Sequence, residues 1–345
     1  MRRRSIHLHS LFFAVMLLLW PALGAAQAPP VERRVLDNGL VLIVAQRPGL
    51  PIVKGVALVG AGSLVEDSGQ AGIAALTARL ILRGTATRSG EQISQAIEAV
   101  GGSLEAKAER DAAVVGLSVL RKDLRLGLSL LADSLRNPTF PEGEVERERR
   151  NLLASLAQRA EEPGLQAQDL FATTLYGSAH PYGRPVAGTE ATLRQLRRED
   201  IVGFHQRWYG PNRVILVLAG DITLAGADLM VREAFGDWVP VVSPPWPSPS
   251  VGAISRGVVR TIDRKLAQAT VILGQGGIAR NDPDYYAATV LNALLGGGGL
   301  TSRLSLNLRE ERGLVYSVGS SLAAGRLAGP FQVALQTKSE SATEA

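Results

Sequence analysis

One order of elements occurs twice in the chain, and this repeat constrains the fold more strongly than any other feature of the sequence. Residues 53–120 read as a strand, two amphipathic helices and an alternating strand pair, and residues 268–337 show the same order. Prolines concentrated in residues 239–253 favour an extended spacer between the two units. The sequence therefore predicts two related domains joined by a linker.

The grouping of strands and helices into blocks predicts an α+β fold, with helices layered on an antiparallel sheet in each domain. We expect the first domain at residues 31–238 and the second at residues 254–345. After its strand pair the first unit continues with three predicted helices and a final strand, whereas the second unit stops there. If the second unit had the same elements as the first, about 100 further residues would follow. The second domain is therefore expected to be incomplete.

The first 28 residues are typical of a cleavable signal peptide. A charged start precedes a short apolar run at residues 11–20, and small residues in an A-x-A arrangement follow. A membrane anchor is the alternative, but the run ends at Pro21 and is short for a span. The chain has no cysteine, which excludes a lipoprotein anchor and a disulfide framework. We therefore expect a periplasmic protein without a membrane anchor.

The charge of the chain does not favour nucleic acid as a partner. Of the formal net charge of +5, three charges come from Arg2, Arg3 and Arg4 of the predicted signal peptide, and subtracting them leaves +2. The strongly charged segment at residues 143–150 is interpreted as the solvated face of a helix.

Few side chains are available for catalysis. Only His180 and His205 remain after the signal peptide, and nothing in the sequence brings them together as zinc would require. There is no G-x-S-x-G motif for a serine nucleophile. The glycines of residues 296–299 lack the Lys-Ser/Thr pair of a phosphate-binding loop. No catalytic group can be identified from the residues alone.

A predicted helix at residues 72–85 has an unusual composition. Leu76, Leu80 and Ile81 form an apolar stripe, but small alanines and a single arginine occupy the positions between them. This helix is one of eight segments, in a fixed order, that together resemble a known family. The segments read LDNGL, GAGSLVED, GIAALTARLILRGTATRS, GGSLEAKAERD, LLADSLRNPTFPEGEVERER, HPYGRPVAGT, YGPNRVILVLAGDI and LGGGGLTSRLSLNLREERGLVYSVGSS.

From about Arg33 to its last residue, the chain resembles the insulinase, pitrilysin and mitochondrial-processing-peptidase family of zinc peptidases, in its bacterial short-subunit form. Active members carry an inverted zinc motif, H-x-x-E-H, on the helix that follows the Gly of GIA. The resemblance places these positions at Ala75, Ala78 and Arg79, and the third ligand, a glutamate, at about Ser155. It therefore implies a member without zinc ligands and with no metal of its own.

Active members also use an arginine and a tyrosine, seven residues apart in the second domain, to hold the peptide or stabilise the intermediate. The resemblance places these roles at Arg309 and Tyr316. The alternative is an ion pair on the helix for Arg309 and packing in a strand for Tyr316.

This combination implies a non-catalytic subunit that pairs with a homologous, zinc-bearing peptidase subunit and helps to enclose a peptide substrate. In such families the peptide usually lies along an exposed strand edge. Three alternatives remain open: an active metalloendopeptidase with displaced ligands, a structural subunit of a larger assembly, and a stand-alone periplasmic peptide-binding protein.

Overall fold

The computed structural model describes residues 30–249 and 257–345. The predicted signal peptide and the last part of the predicted linker lie outside the described residues. None of the helices in these two ranges is both long enough and apolar enough to span a bilayer.

The first sheet is six-stranded and largely antiparallel. Its strands are β1 (Val31–Val35), β2 (Val41–Gln46), β3 (Ile52–Val59), β4 (Ser103–Ala108), β5 (Ala113–Leu120) and β6 (Val214–Gly220). They lie in the order β1-β2-β6-β3-β5-β4. The only parallel pair among these strands joins β2 to β6, with Val41 opposite Ile215. The helices between β5 and β6 carry the chain back across the sheet, so that β6 runs parallel to β2. The alternation of apolar and polar residues along a single strand does not predict such a pairing.

Eight α-helices belong to the first domain. They are α1 (Ile73–Leu80), α2 (Gly90–Glu98), α3 (Leu124–Arg136), α4 (Glu142–Glu161), α5 (Pro163–Tyr176), α6 (Glu190–Gln195), α7 (Arg198–Trp208) and α8 (Leu224–Phe235). Five of them lie between β5 and β6, where the sequence predicted three. Ser89 caps α2 as expected, because its hydroxyl accepts from the Gln92 amide at 3.2 Å.

The core of the first domain lies between the sheet and its helices. The predicted stripe of Leu76, Leu80 and Ile81 is fully buried in it. α1 packs against α4, α7 and β4, so that it lies at the centre of the helical layer. The inward-facing residues of β5 alternate with partly exposed ones, as one face of a sheet requires.

The second sheet repeats part of the first and confirms the fold class. Its strands are β7 (Gln268–Gly276), β8 (Val315–Leu322) and β9 (Pro330–Lys338), in the order β7-β9-β8. All pairs are antiparallel, which matches β3-β5-β4 of the first sheet. The predicted strand, helix, helix and hairpin order is therefore present in both units.

The helices of the second unit differ from the predicted regular ones. α9 (Tyr285–Asn292) continues into a π-type turn at Ala293–Gly297, and the second predicted helix has π-type turns at Ser305–Glu311. Hydrophobic side chains of α9, among them Tyr286, Val290 and Leu291, are exposed, whereas α1 is buried. Within the described residues, β7 has no partner on the edge that corresponds to the β6-paired edge of β3.

The two sheets are connected by hydrogen bonds around one buried tyrosine. The Tyr182 hydroxyl donates to Asp111 Oδ1 at 2.7 Å and accepts from the Leu327 amide at 3.2 Å. Asp111 Oδ2 also accepts from the Arg326 amide at 2.7 Å. The Tyr176 hydroxyl donates to the Ala328 carbonyl, which adds a further bond to the same loop. The β8–β9 loop is thereby fixed to the first domain.

Replacing Tyr182 with Phe is expected to loosen this junction. The substitution leaves the Leu327 amide and one oxygen of Asp111 without their partner, at a cost of about 1–3 kcal/mol. Urea unfolding measures the change in the free energy of unfolding. Tyr286→Phe, at an exposed tyrosine, is the matched control; equal stability of the two variants would contradict the role of Tyr182.

Candidate functional site

Helix α1, which contains Ala75, Ala78 and Arg79, begins at a tightly constrained turn. Gly72 precedes α1 with φ +96°, and a Cβ there would lie 2.7 Å from the Ala187 carbonyl oxygen. The buried carboxyl group of Glu66 accepts from the amides of Gly72 at 3.1 Å and Ala74 at 2.9 Å. These bonds satisfy amides at the first turn, where no intrahelical acceptor exists. The position of α1 is thus fixed at its start.

The environment of Glu66 perturbs its ionisation. Burial raises the pKa of Glu66 to about 8, while the amides of Ala74 and Gly72 and the charge of Arg184 act in the opposite direction. The Arg184 guanidinium also donates to the Glu66 carbonyl at 3.2 Å. The cap of α1 therefore gains a negative charge only as the pH rises toward 8.

The three motif positions lie on α1. Ala75 and Ala78 are buried, and their methyl groups can neither bind a cation nor accept a proton. Arg79 occupies the last turn of α1 with its side chain 39% exposed. Its guanidinium brings a permanent positive charge to the position that the resemblance assigns to the second histidine.

The charged partner of Arg79 comes from α4. Glu148 is only 2% exposed and lies between two arginines, Arg79 in α1 and Arg83 just after it. Arg83 Nε donates to Glu148 Oε1 at 2.9 Å, and Arg79 Nη1 lies 3.7 Å from Glu148 Oε2. The interpretation of residues 143–150 as a solvated face is therefore wrong for Glu148, which is buried against α1 and neutralised there.

Ser155 lies on the same helix, two turns after Glu148. Its hydroxyl donates to the Asn151 carbonyl at 2.9 Å, so the side chain is turned toward its own helix. A neutral hydroxyl is not among the common zinc ligands, which are imidazole, thiolate and carboxylate. The position that the resemblance assigns to the third ligand thus holds no suitable donor.

The two histidines are separate and structural. His180 Nδ1 accepts from the Tyr182 amide at 3.0 Å, and its ring stacks on Tyr176. His205 Nε2–H donates to the Leu135 carbonyl at 2.9 Å. Burial lowers the pKa of His205 to about 4, which keeps the ring neutral at pH 7.

Zinc does not fit the donor set of this site. Two methyl groups, a guanidinium and a hydroxyl offer no carboxylate, thiolate or imidazole at the motif positions. In residues 30–249 and 257–345, no group of three or more His, Cys, Asp or Glu side chains is arranged to hold a metal ion. No catalytic step is therefore assigned to a metal in this chain.

Arg309 and Tyr316 belong to the second structural unit. Arg309 lies in the Ser305–Glu311 segment, and Tyr316 lies in β8, directly after it. The Leu314 amide donates to the Leu308 carbonyl at 2.9 Å and closes the turn between them. Tyr316 is 70% exposed and does not pack in the strand layer as the alternative supposed. Arg309 Nε is 3.8 Å from Glu310 Oε1, an ion-pair contact of the kind that the alternative supposed, although it is too long for a hydrogen bond.

An open strand edge lies beside α1. β4 is the last strand in the order of the first sheet, so its outer edge has no strand partner within the described residues. Ser103, Glu105 and Lys107 alternate as exposed residues along it. The backbone groups of such an edge can pair with an extended peptide.

Comparison with known proteins identifies the family. Residues 44–190 match the family described as Insulinase (Peptidase family M16), and residues 195–345 match the Peptidase M16 inactive domain. An uncharacterized zinc protease of Mycobacterium leprae is 36% identical over 301 residues, which cover 86% of this chain and 67% of that protein. One of Streptomyces coelicolor is 34% identical over 309 residues, which cover 88% and 67%.

Solved structures support the same relationship. The crystal structure of a peptidase M16 inactive domain from Pseudomonas fluorescens superimposes with a TM-score of 0.80 at 28% identity, covering 90% of this chain and 75% of that one. A protease from Helicobacter pylori gives a TM-score of 0.83 at 21% identity, over 90% and 76%, and shows the fold alone. The chain belongs to the insulinase family of peptidases, as the sequence predicted.

The buried Glu66 predicts a specific dependence of stability on pH. Its pKa is raised in the folded chain, so the folded state holds this proton between about pH 4.5 and 8 while the unfolded state releases it. The free energy of unfolding is therefore expected to fall as the pH rises through this range. Glu66→Gln should remove this part of the slope, measured by urea unfolding at several pH values. The exposed Glu98→Gln control should retain it; an unchanged slope in Glu66→Gln would contradict the assignment.

Proposed function

We propose that this chain is the non-catalytic subunit of a periplasmic heterodimeric zinc peptidase. In this proposal a homologous partner subunit carries the zinc ion. The present chain helps to form the chamber that holds the peptide and supplies Arg309 and Tyr316 to the partner's active site. The periplasmic location rests on the predicted signal peptide.

One asymmetry carries the proposal. The positions that correspond to the zinc motif hold Ala75, Ala78 and Arg79, while the arginine–tyrosine pair of the second domain is present and accessible. Arg309 and Tyr316 are exposed at the seven-residue spacing that the resemblance assigns to the substrate-contacting pair. Loss of the metal site with retention of the substrate-contacting pair fits a subunit that acts on a partner's reaction.

The chemistry of Arg309 and Tyr316 suits this role. A guanidinium can donate two parallel hydrogen bonds to a peptide carbonyl or to the oxyanion that forms from it, and a phenol can donate a third. Both side chains reach solvent, and the contact of Arg309 with Glu310 leaves its donors available to a ligand.

The edge of β4 supports a peptide-binding chamber. A peptide that pairs with this edge would bond through its backbone, which accommodates many sequences, and it would lie next to α1. The same arrangement without a partner would describe a stand-alone peptide-binding protein, and the experiments below distinguish the two.

The purified chain alone is expected to contain no stoichiometric zinc and to cleave no peptide. Metal analysis by mass spectrometry and digestion of a mixed peptide library measure the two properties. A zinc content near one ion per chain, together with cleavage that a chelator abolishes, would overturn the proposal.

A gain-of-ligand variant provides the positive control for that measurement. Ala75→His, Arg79→His and Ser155→Glu together place three ligands, two histidines and a glutamate, on α1 and α4, and zinc binding near one ion per chain is expected. Ala78 is left unchanged because its side chain is fully buried and a glutamate there would be destabilising. Ala75→His alone is the matched control and should bind no stoichiometric zinc.

A zinc-bearing homologous subunit is expected to copurify with the tagged chain from the periplasm. In the reconstituted complex, Arg309→Gln and Tyr316→Phe should each lower kcat/KM by about 10- to 1,000-fold, because each removes a donor to the reacting group. The neighbouring Arg312→Gln and the exposed Tyr286→Phe are the controls and should change it little. Copurification of peptide without such a subunit would favour the stand-alone peptide-binding protein.

A further inference from the structure

We propose that Arg79 binds the carboxylate of a peptide that lies along the β4 edge. This inference rests on the proposed peptide-binding function and adds to it the chemical class of the ligand. The group recognised is a carboxylate, supplied by the C-terminus of the peptide or by an acidic side chain.

The donors of Arg79 are not used within the described residues. Its closest charged contact, Glu148 Oε2 at 3.7 Å, is beyond hydrogen-bond distance, and its guanidinium donates no hydrogen bond to another described residue. Arg83, one turn later, already donates to Glu148 at 2.9 Å. Arg79 is therefore not needed to satisfy the hydrogen-bonding capacity of that carboxylate.

Two guanidinium groups and one carboxylate meet where α1 faces α4, so positive charge exceeds negative charge by one there. Arg79 and Arg83 face the single buried carboxylate of Glu148, which also accepts from the Asn151 amide group at 3.5 Å. Guanidinium groups are fully protonated at all pH values at which the protein is folded. A partly buried site with a surplus guanidinium attracts an anionic oxygen more strongly than a fully solvated arginine does.

The location of Arg79 links this charge to the β4 edge. Arg79 belongs to α1, and α1 packs directly against β4. The partly buried residues of β4, Leu104 and Ala106, pack on the same core as α1, so the helix and the open edge are adjacent. An extended peptide on the edge would bring its end or a side chain near the last turn of α1.

A comparison of acid and amide peptides tests the inference. The probes are acetylated nonapeptide pools of random sequence without Asp or Glu, synthesised with a C-terminal carboxylate or a C-terminal amide. A third pool is amidated and carries one Glu at a fixed position. Retention of each pool on the immobilised full chain at low salt is measured by mass spectrometry.

The wild-type chain is expected to retain the acid pool about fivefold more strongly than the amide pool. Retention of the third pool at the level of the acid pool assigns the site to a side-chain carboxylate; retention at the level of the amide pool assigns it to the C-terminus. High salt should reduce the preference, since Arg79 is partly exposed.

Two substitutions separate charge from structure. Arg79→Gln should abolish the preference while leaving retention of the amide pool unchanged, and Arg79→Lys should restore part of it. Arg121→Gln, at a remote exposed arginine, is the control and should behave as the wild type. Equal retention of all pools by the wild type, or an undiminished preference in Arg79→Gln, overturns this inference alone. No retention of any pool overturns both this inference and the proposed peptide-binding function.

Discussion

The burial of Glu148 between two arginines is the interaction on which the geometry of the site depends. A carboxylate removed from water requires compensating charge, and Arg83 supplies it across the α1–α4 interface by donating to Glu148 at 2.9 Å, while Arg79 lies farther away at 3.7 Å. The other end of α1 is fixed by a second buried carboxyl group, that of Glu66. Side chains of this chain alone thus determine where α1 lies relative to α4 and β4. Arg79 lies at a position that the family resemblance assigns to a metal-binding histidine.

The parts of the fold that depend on local pattern could be predicted from the sequence. Leu76, Leu80 and Ile81 recur with helical spacing and are buried, and β5 alternates between the core and the surface. Ser89 marked the start of α2. The repeat was detectable because both units present the same succession of elements, and the strand orders β3-β5-β4 and β7-β9-β8 confirm it.

Features that depend on distant parts of the chain could not be predicted in this way. Glu148 belongs to a segment so rich in charge that its composition indicated a solvated face, and only the packing of α4 on α1 buries it. The parallel pairing of β2 with β6 brings together residues about 170 positions apart, far beyond any local signal. The π-type turns near residues 293–311 likewise have no periodic signature in the sequence. The motif positions were assigned by family resemblance, since alanines give no chemical signal of their own.

One edge of β7 has no strand partner within the described residues, and its composition favours the addition of a further strand there. Residues 268–276 contain no charged side chain and no proline, which are the usual means by which natural sheets prevent unwanted strand addition. Such an edge can accept an extended segment, from another part of the polypeptide or from a second molecule. Addition of a strand at this edge would give β7 the two neighbours that β3 has in the first sheet.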